Sequence, residues 1–221
     1  MVGLLYGYCG LIAQNHGEEK NAAGHYVRAI SIVRRLGEQR AYALFQRHYA
    51  TLRVFLTDDN NGRRQIDLAI SVAESATHKD MSYRARLLKA EAVRKQPSAT
   101  ARERRKARDL IGLALDYSEL TDSHRVRLEA NAALGRIMLT DGEMEGALRA
   151  TSDALALAAR HGNMLQKISL RVQLAEVLIR RGDSKSGRAM LATAEKLSAR
   201  IGYNRMAERI QRIDLGEALE N

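Results

Sequence analysis

Residues 134–162 read LGRIMLTDGEMEGALRATSDALALAARHG, and forty positions on, residues 174–202 read LAEVLIRRGDSKSGRAMLATAEKLSARIG. Both segments put a small residue second (Gly135, Ala175), a glycine in the middle (Gly142, Gly182) and a further small residue five positions later (Ala147, Gly187). An alanine follows at Ala154 and Ala194, and each segment closes on Gly162 or Gly202. Working outward, the same alanine recurs at Ala29, Ala69 and Ala114, so the five copies are spaced by 40, 45, 40 and 40. Seven residues before each stands Ala22, Gly62, Ala107, Ala147 or Gly187, and three before it Tyr26, Ile66, Ile111, Thr151 or Leu191. Three after it comes Ile32, Val72, Tyr117, Leu157 or Leu197, and eight after it Gly37, Thr77, Asp122, Gly162 or Gly202. A fixed internal period of this size is the mark of a repeat array.

The preceding helix keeps the same frame. Gly10, Ala50, Gly135 and Ala175 lie 19 residues before their alanine, while Ala90 lies 24 before Ala114. One insertion at Gln96-Pro97-Ser98-Ala99-Thr100 accounts for both the 45 and the 24. Small residues at helical spacing let two backbones approach, and larger apolar residues three or four away fill the seam. The expected unit is therefore an antiparallel helix pair, with Gly17, Gly142 and Gly182 in the turn within a pair. Gly37, Gly162 and Gly202 suit a left-handed C-cap. Helices are expected at 2–15, 19–36, 39–56, 62–76, 80–95, 100–118, 123–140, 144–161, 164–181, 185–201 and 203–219, with no strand.

Composition agrees. Pro97 is the one proline among 221 residues, where average usage would supply about eleven, and proline is excluded from helix interiors. Aromatics at 5% with no Trp argue against an all-β sandwich or barrel. Cys9 has no partner in the chain, which excludes a disulfide scaffold and suits a reducing compartment. No apolar run approaches the length of a membrane span, and the apolar N-terminus lacks the basic region of a signal peptide. A cytoplasmic location is expected.

These residues resemble the tetratricopeptide-repeat (TPR) family. The likeness is carried by Leu134-Gly135, Met138, Gly142, Ala147, Thr151 and Ala154, and again by Leu174-Ala175, Leu178, Gly182-Asp183, Gly187, Leu191 and Ala194. The first copy reads Tyr6, Cys9-Gly10, Ala13, Gly17, Ala22, Tyr26 and Ala29. Departures are a period of 40 in place of about 34, no terminal proline, and Asn131 and Arg171 where the family has Trp. The longer period resembles repeats of large bacterial signalling ATPases and MalT-like transcriptional regulators. The resemblance implies an all-α, right-handed α-solenoid over 1–221, a single repeat domain. Its five helix pairs would run at about 2–37, 38–77, 78–122, 123–162 and 163–202, with a capping helix at 203–219. The resemblance also implies a protein-binding role, alone or within a larger signalling or regulatory protein.

No enzyme signature is present. The six histidines show no metal-ligand spacing, no glycine-rich phosphate loop occurs, and no nucleophile elbow is found. Neither catalysis, metal nor cofactor is expected. Charge is more informative, because residues 81–110 hold 10 basic and 3 acidic side chains and so carry +7 of the net +10. This basic patch comprises Arg84, Arg86, Lys89, Arg94, Lys95, Arg102, Arg104, Arg105, Lys106 and Arg108. It would attract an acidic peptide or nucleic acid, although Tyr83 is the lone aromatic near it, which disfavours single-strand stacking. The resemblance places a partner groove on the first helix of each pair, with outward positions at Tyr8, Asn15, Arg47, Arg84, Arg94, Lys95, Arg136 and Arg180. This cationic lining predicts an acidic protein or peptide ligand, with nucleic acid on the basic patch as the alternative. Tyr6, Tyr8, Tyr26, Tyr42, Tyr49, Phe45 and Phe55 crowd the first 55 residues, either as core filling or as an exposed docking edge. The apolar stretch Met1 to Ile12 is expected to meet something, a second copy included. The last helix suits a cap, with Arg205, Glu208, Arg209, Arg212 and Asp214 on a charged face.

Overall fold

The computed structural model describes residues 1–55 and 62–214, the last by its backbone alone. Among them are eleven α-helices and no strand. They are α1 (Val2–His16), α2 (Glu19–Arg35), α3 (Gln39–Phe55), α4 (Gly62–Ser75), α5 (Lys79–Arg94), α6 (Ala101–Thr121), α7 (His124–Thr140), α8 (Met144–His161), α9 (Met164–Arg180), α10 (Ser184–Ile201) and α11 (Asn204–Asp214). The expected helix ends at 56 and 219 and the side chain of Asp214 lie outside the described residues.

The chain divides into two compact units, Met1–Gln96 and Pro97–Asn221, at the loop where the sequence period breaks. In the first, α1 to α5 pack each on the next, and the odd helices also touch one another as α1 on α3 and α3 on α5. The second repeats this from α6 to α11, with α7 on α9 and α9 on α11. Among the described residues the even helices do not pack together within either unit. Each unit is thus an all-α, solenoid-like stack with an inner odd layer and separated even helices outside it.

Burial follows that layering. The even helices bury one stripe, such as Ala107, Ile111, Ala114 and Ser118 of α6 or Gly187, Leu191, Ala194 and Ser198 of α10. All five framework alanines from Ala29 to Ala194 are at most 1% exposed. The residue four after each (Val33, Ala73, Ser118, Ala158, Ser198) is buried as well, closing a stripe at helical spacing. Helices α3, α5, α7 and α9, gripped on several sides, bury more: α9 hides Ile168, Leu170 and every residue from Val172 to Val177. Of the early aromatics, Tyr26 and Phe45 are fully buried core, whereas Tyr8 is exposed. Helix α11 turns Met206, Ile210 and Ile213 onto α9 and α10.

One detail of the turns differs from expectation. Gly37 and Gly202 are left-handed, and so are the non-glycine Thr77 and Asp122 at the same repeat position. Gly162 is extended (φ −87°, ψ 158°), because Asn163 follows at once as the N-cap of α9 in a capping box with Gln166. The insertion at 96–100 is loop throughout, as expected. Helix α6 starts six residues before Ala107, whereas α2, α8 and α10 start three before Ala22, Ala147 and Gly187. Thr100 makes that earlier start possible by closing a capping box with Glu103.

Candidate functional site

The cations expected to face a partner from the odd helices are largely held by their own neighbours. In the first unit Arg94 pairs with Glu91 at 3.3 Å and Lys95 Nζ reaches the Phe55 carbonyl at 3.5 Å. Arg84 is not outward; it is 8% exposed. The cause is that α5 packs on both α3 and α4 and buries eight of its residues, Ser82 to Ala92. Arg47 and Asn15 are half-buried and Tyr8 is exposed. In the second unit Arg136 Nη1 donates to Gln173 Oε1 at 2.8 Å. Gln173 is itself fully buried and donates to the Ala132 carbonyl and to Thr151 Oγ1. Arg180 and Arg209 both hold Glu176, at 3.1 and 3.2 Å. The Arg136–Gln173 and Arg209–Glu176 contacts join separate helices, whereas Arg94–Glu91 and Arg180–Glu176 each lie within one helix.

The basic patch is likewise divided. Arg86 pairs with Glu74 at 2.6 Å and Lys89 with Asp67 at 2.7 Å, both within the first unit. In the second, Arg104 and Arg108, one turn apart on α6, reach the turn between α7 and α8. Arg108 holds Asp141 at 2.6 Å and also Glu143, whose hydrogen bonds to the guanidinium push its pKa up; Arg104 lies 3.5 Å from Asp141. Arg102, Arg105 and Lys106 are exposed with no ion pair among the described residues, and their spacing puts them on one face of α6.

A site that the sequence reading missed lies in the first unit. Because α2 and α4 do not pack together, a cleft of about 590 Å³ opens between them over α3. Val27 and Ile30 of α2 and Tyr49 of α3 give it apolar lining, and Gln46 of α3 donates to Gln65 Oε1 of α4 at 2.7 Å across its floor. Ser31, Arg34 and Arg35 line the α2 side. Both arginines are exposed, and neither has an ion pair among the described residues. A volume in this range suits a small ligand or a few residues of a peptide. The available signal was the run Val27, Ile30, Ser31 and Arg34, one face of α2 that mixes apolar and cationic groups although that helix already has a buried face in Ala22, Tyr26, Ala29 and Val33.

Among the described residues no three His, Cys, Asp or Glu side chains gather as metal ligands, and no helix is long and apolar enough to cross a membrane. His124 and His161 stack with ring centroids 4.0 Å apart, with Asp122 beside His124 at 3.5 Å. Compared with models of protein families the chain matches none, and compared with curated proteins it has no significant match.

Proposed function

We propose that this chain is a non-enzymatic, TPR-like scaffold or sensory module that binds an acidic segment of a partner protein, within a larger signalling or regulatory assembly in the cytoplasm. The observation that carries the reading is the α2–α4 cleft, with apolar residues for a partner side chain and two uncommitted guanidiniums for a carboxylate. Arginine binds carboxylates through paired, planar donors, and such charge-assisted bonds are stronger than neutral ones. The helices that carry Arg34, Tyr49 and Gln65 are held by the framework stripe, so the cleft is preformed and binding requires little ordering of the protein.

The test is a selection from peptides that combine Asp or Glu with Leu or Phe, followed by fluorescence anisotropy of the selected sequence. Arg34→Glu with Arg35→Glu should weaken binding at least tenfold, about 1.4 kcal/mol, and the wild-type affinity should fall as salt rises. Unchanged affinity in the double variant would contradict the proposal. Arg102, Arg105 and Lys106 favour one alternative, in which duplex nucleic acid binds α6. It predicts an affinity that declines steeply with salt and is lost when those three charges are reversed.

A further inference from the structure

Arg34 and Arg35 are more charge than the end of α2 requires. Cations in a last turn favour the helix dipole, and α8 and α10 meet that need with Arg160 and Arg200 at the position of Arg35. At the position of Arg34, α4 and α6 carry Glu74 and Glu119, while α8 and α10 carry Ala159 and Ala199. The second guanidinium is therefore particular to α2, the helix that walls the cleft. Ser31, Arg34 and Arg35 stand at i, i+3 and i+4, so their side chains share one face, and all three are exposed. Thr51 and Ser75 turn their hydroxyls back onto the carbonyls of Arg47 and Ser71, whereas Ser31 makes no such bond among the described residues. No described residue that lines the cleft is acidic.

Two guanidiniums and a hydroxyl that converge from one helix face suit a single group with several acceptor oxygens. A carboxylate offers one charge and two oxygens. A phosphorylated side chain carries a charge of about −1.5 to −2 and three acceptor oxygens, so it balances both arginines and accepts from Ser31 Oγ as well. Arginine clusters are a recurring means of binding phosphorylated segments. We infer that the partner segment is phosphorylated, and that a phosphoserine or phosphothreonine docks on Ser31, Arg34 and Arg35. An adjacent Leu or Phe of the partner then lies against Val27, Ile30 and Tyr49, the apolar part of the same cleft. The inference rests on the cleft being the partner site and specifies the anion that it takes.

Three fluorescein-labelled peptide pools with the same Leu- and Phe-rich flanks carry phosphoserine, glutamate or serine at the centre, and the full chain is titrated into each. The phosphoserine pool should bind about tenfold more tightly than the glutamate pool, since the charge it brings is nearly doubled, and the serine pool should bind most weakly. Ser31→Ala, an exposed change that a helix tolerates, should weaken the phosphoserine pool about fivefold through the loss of one hydrogen bond. Glutamate bound as tightly as phosphoserine overturns the inference and leaves the acidic-segment reading standing, whereas binding of neither pool removes both. Phosphoserine binding that survives Arg34→Glu with Arg35→Glu puts the phosphate elsewhere on the chain and also overturns it. Free O-phosphoserine that competes as well as the phosphopeptides would assign the cleft to a small phosphomonoester, with the same consequence.

Discussion

Phe45 packs where Gly7 has no side chain. A β-carbon at Gly7 would overlap the Phe45 ring, and one at Gly10 would lie 2.8 Å from Tyr26 Cδ1. Three glycines in one helix cost about 1 kcal/mol each against alanine; here Gly7 and Gly10 let two fully buried aromatic rings pack against α1, and Gly3 admits Val33. Gly7→Ala should therefore lower stability by about 1–3 kcal/mol through overpacking, despite its better helix propensity. Gly24→Ala, on an open surface of α2, should raise it by about 0.5–1 kcal/mol. Thermal unfolding of the two variants gives opposite signs if the packing is as described. Tyr26 also sets a pH limit. Its hydroxyl donates to Gln14 Oε1 at 2.7 Å, and burial holds its pKa well above the usual phenol range, as burial also does for Tyr203. The folded state then keeps the proton more tightly than the unfolded state. That stabilisation is complete below about pH 10, the unfolded phenol value, and is lost as pH rises beyond it. Tyr26→Phe should flatten the alkaline limb of a stability–pH curve while costing about 1 kcal/mol at neutral pH.

At the scale of helices, the spacing of small residues was enough to place the eleven elements and the framework alanines, because period and burial express the same geometry. The turns were less legible. Gly162 has the residue type of a left-handed cap, but Asn163 beside it starts α9 at once and the chain leaves extended. The five-residue insertion at 96–100 is the loop it reads as, and it ends in the Thr100–Glu103 capping box that starts α6 at Ala101. Thr100→Ala should cost about 1 kcal/mol and fray the first turn of α6, read as faster amide exchange at Arg102 to Arg104. The pairing of the basic patch was illegible for a different reason. Asp141 and Glu143 lie 33 and 35 residues from Arg108, and Asp67 lies 22 from Lys89, so one-dimensional charge counting saw only the cations.

At the scale of the whole molecule, the lone proline and the broken period mark the boundary between the two compact units. The cleft between α2 and α4 could not be read from residue spacing, since it exists only because the odd helices touch and the even ones do not. That architecture moves the favoured site from the odd-helix cations, which bind Glu91, Glu176 and Gln173, to Arg34 and Arg35, which have no such partners among the described residues. The most direct measurement is amide hydrogen exchange across the chain with and without a selected acidic peptide. Protection confined to the helix faces around Val27–Arg35, Gln46–Tyr49 and Gln65 is the predicted result. Protection centred on Arg102–Lys106, or on the Arg136 and Arg180 faces with α2 unchanged, would contradict it.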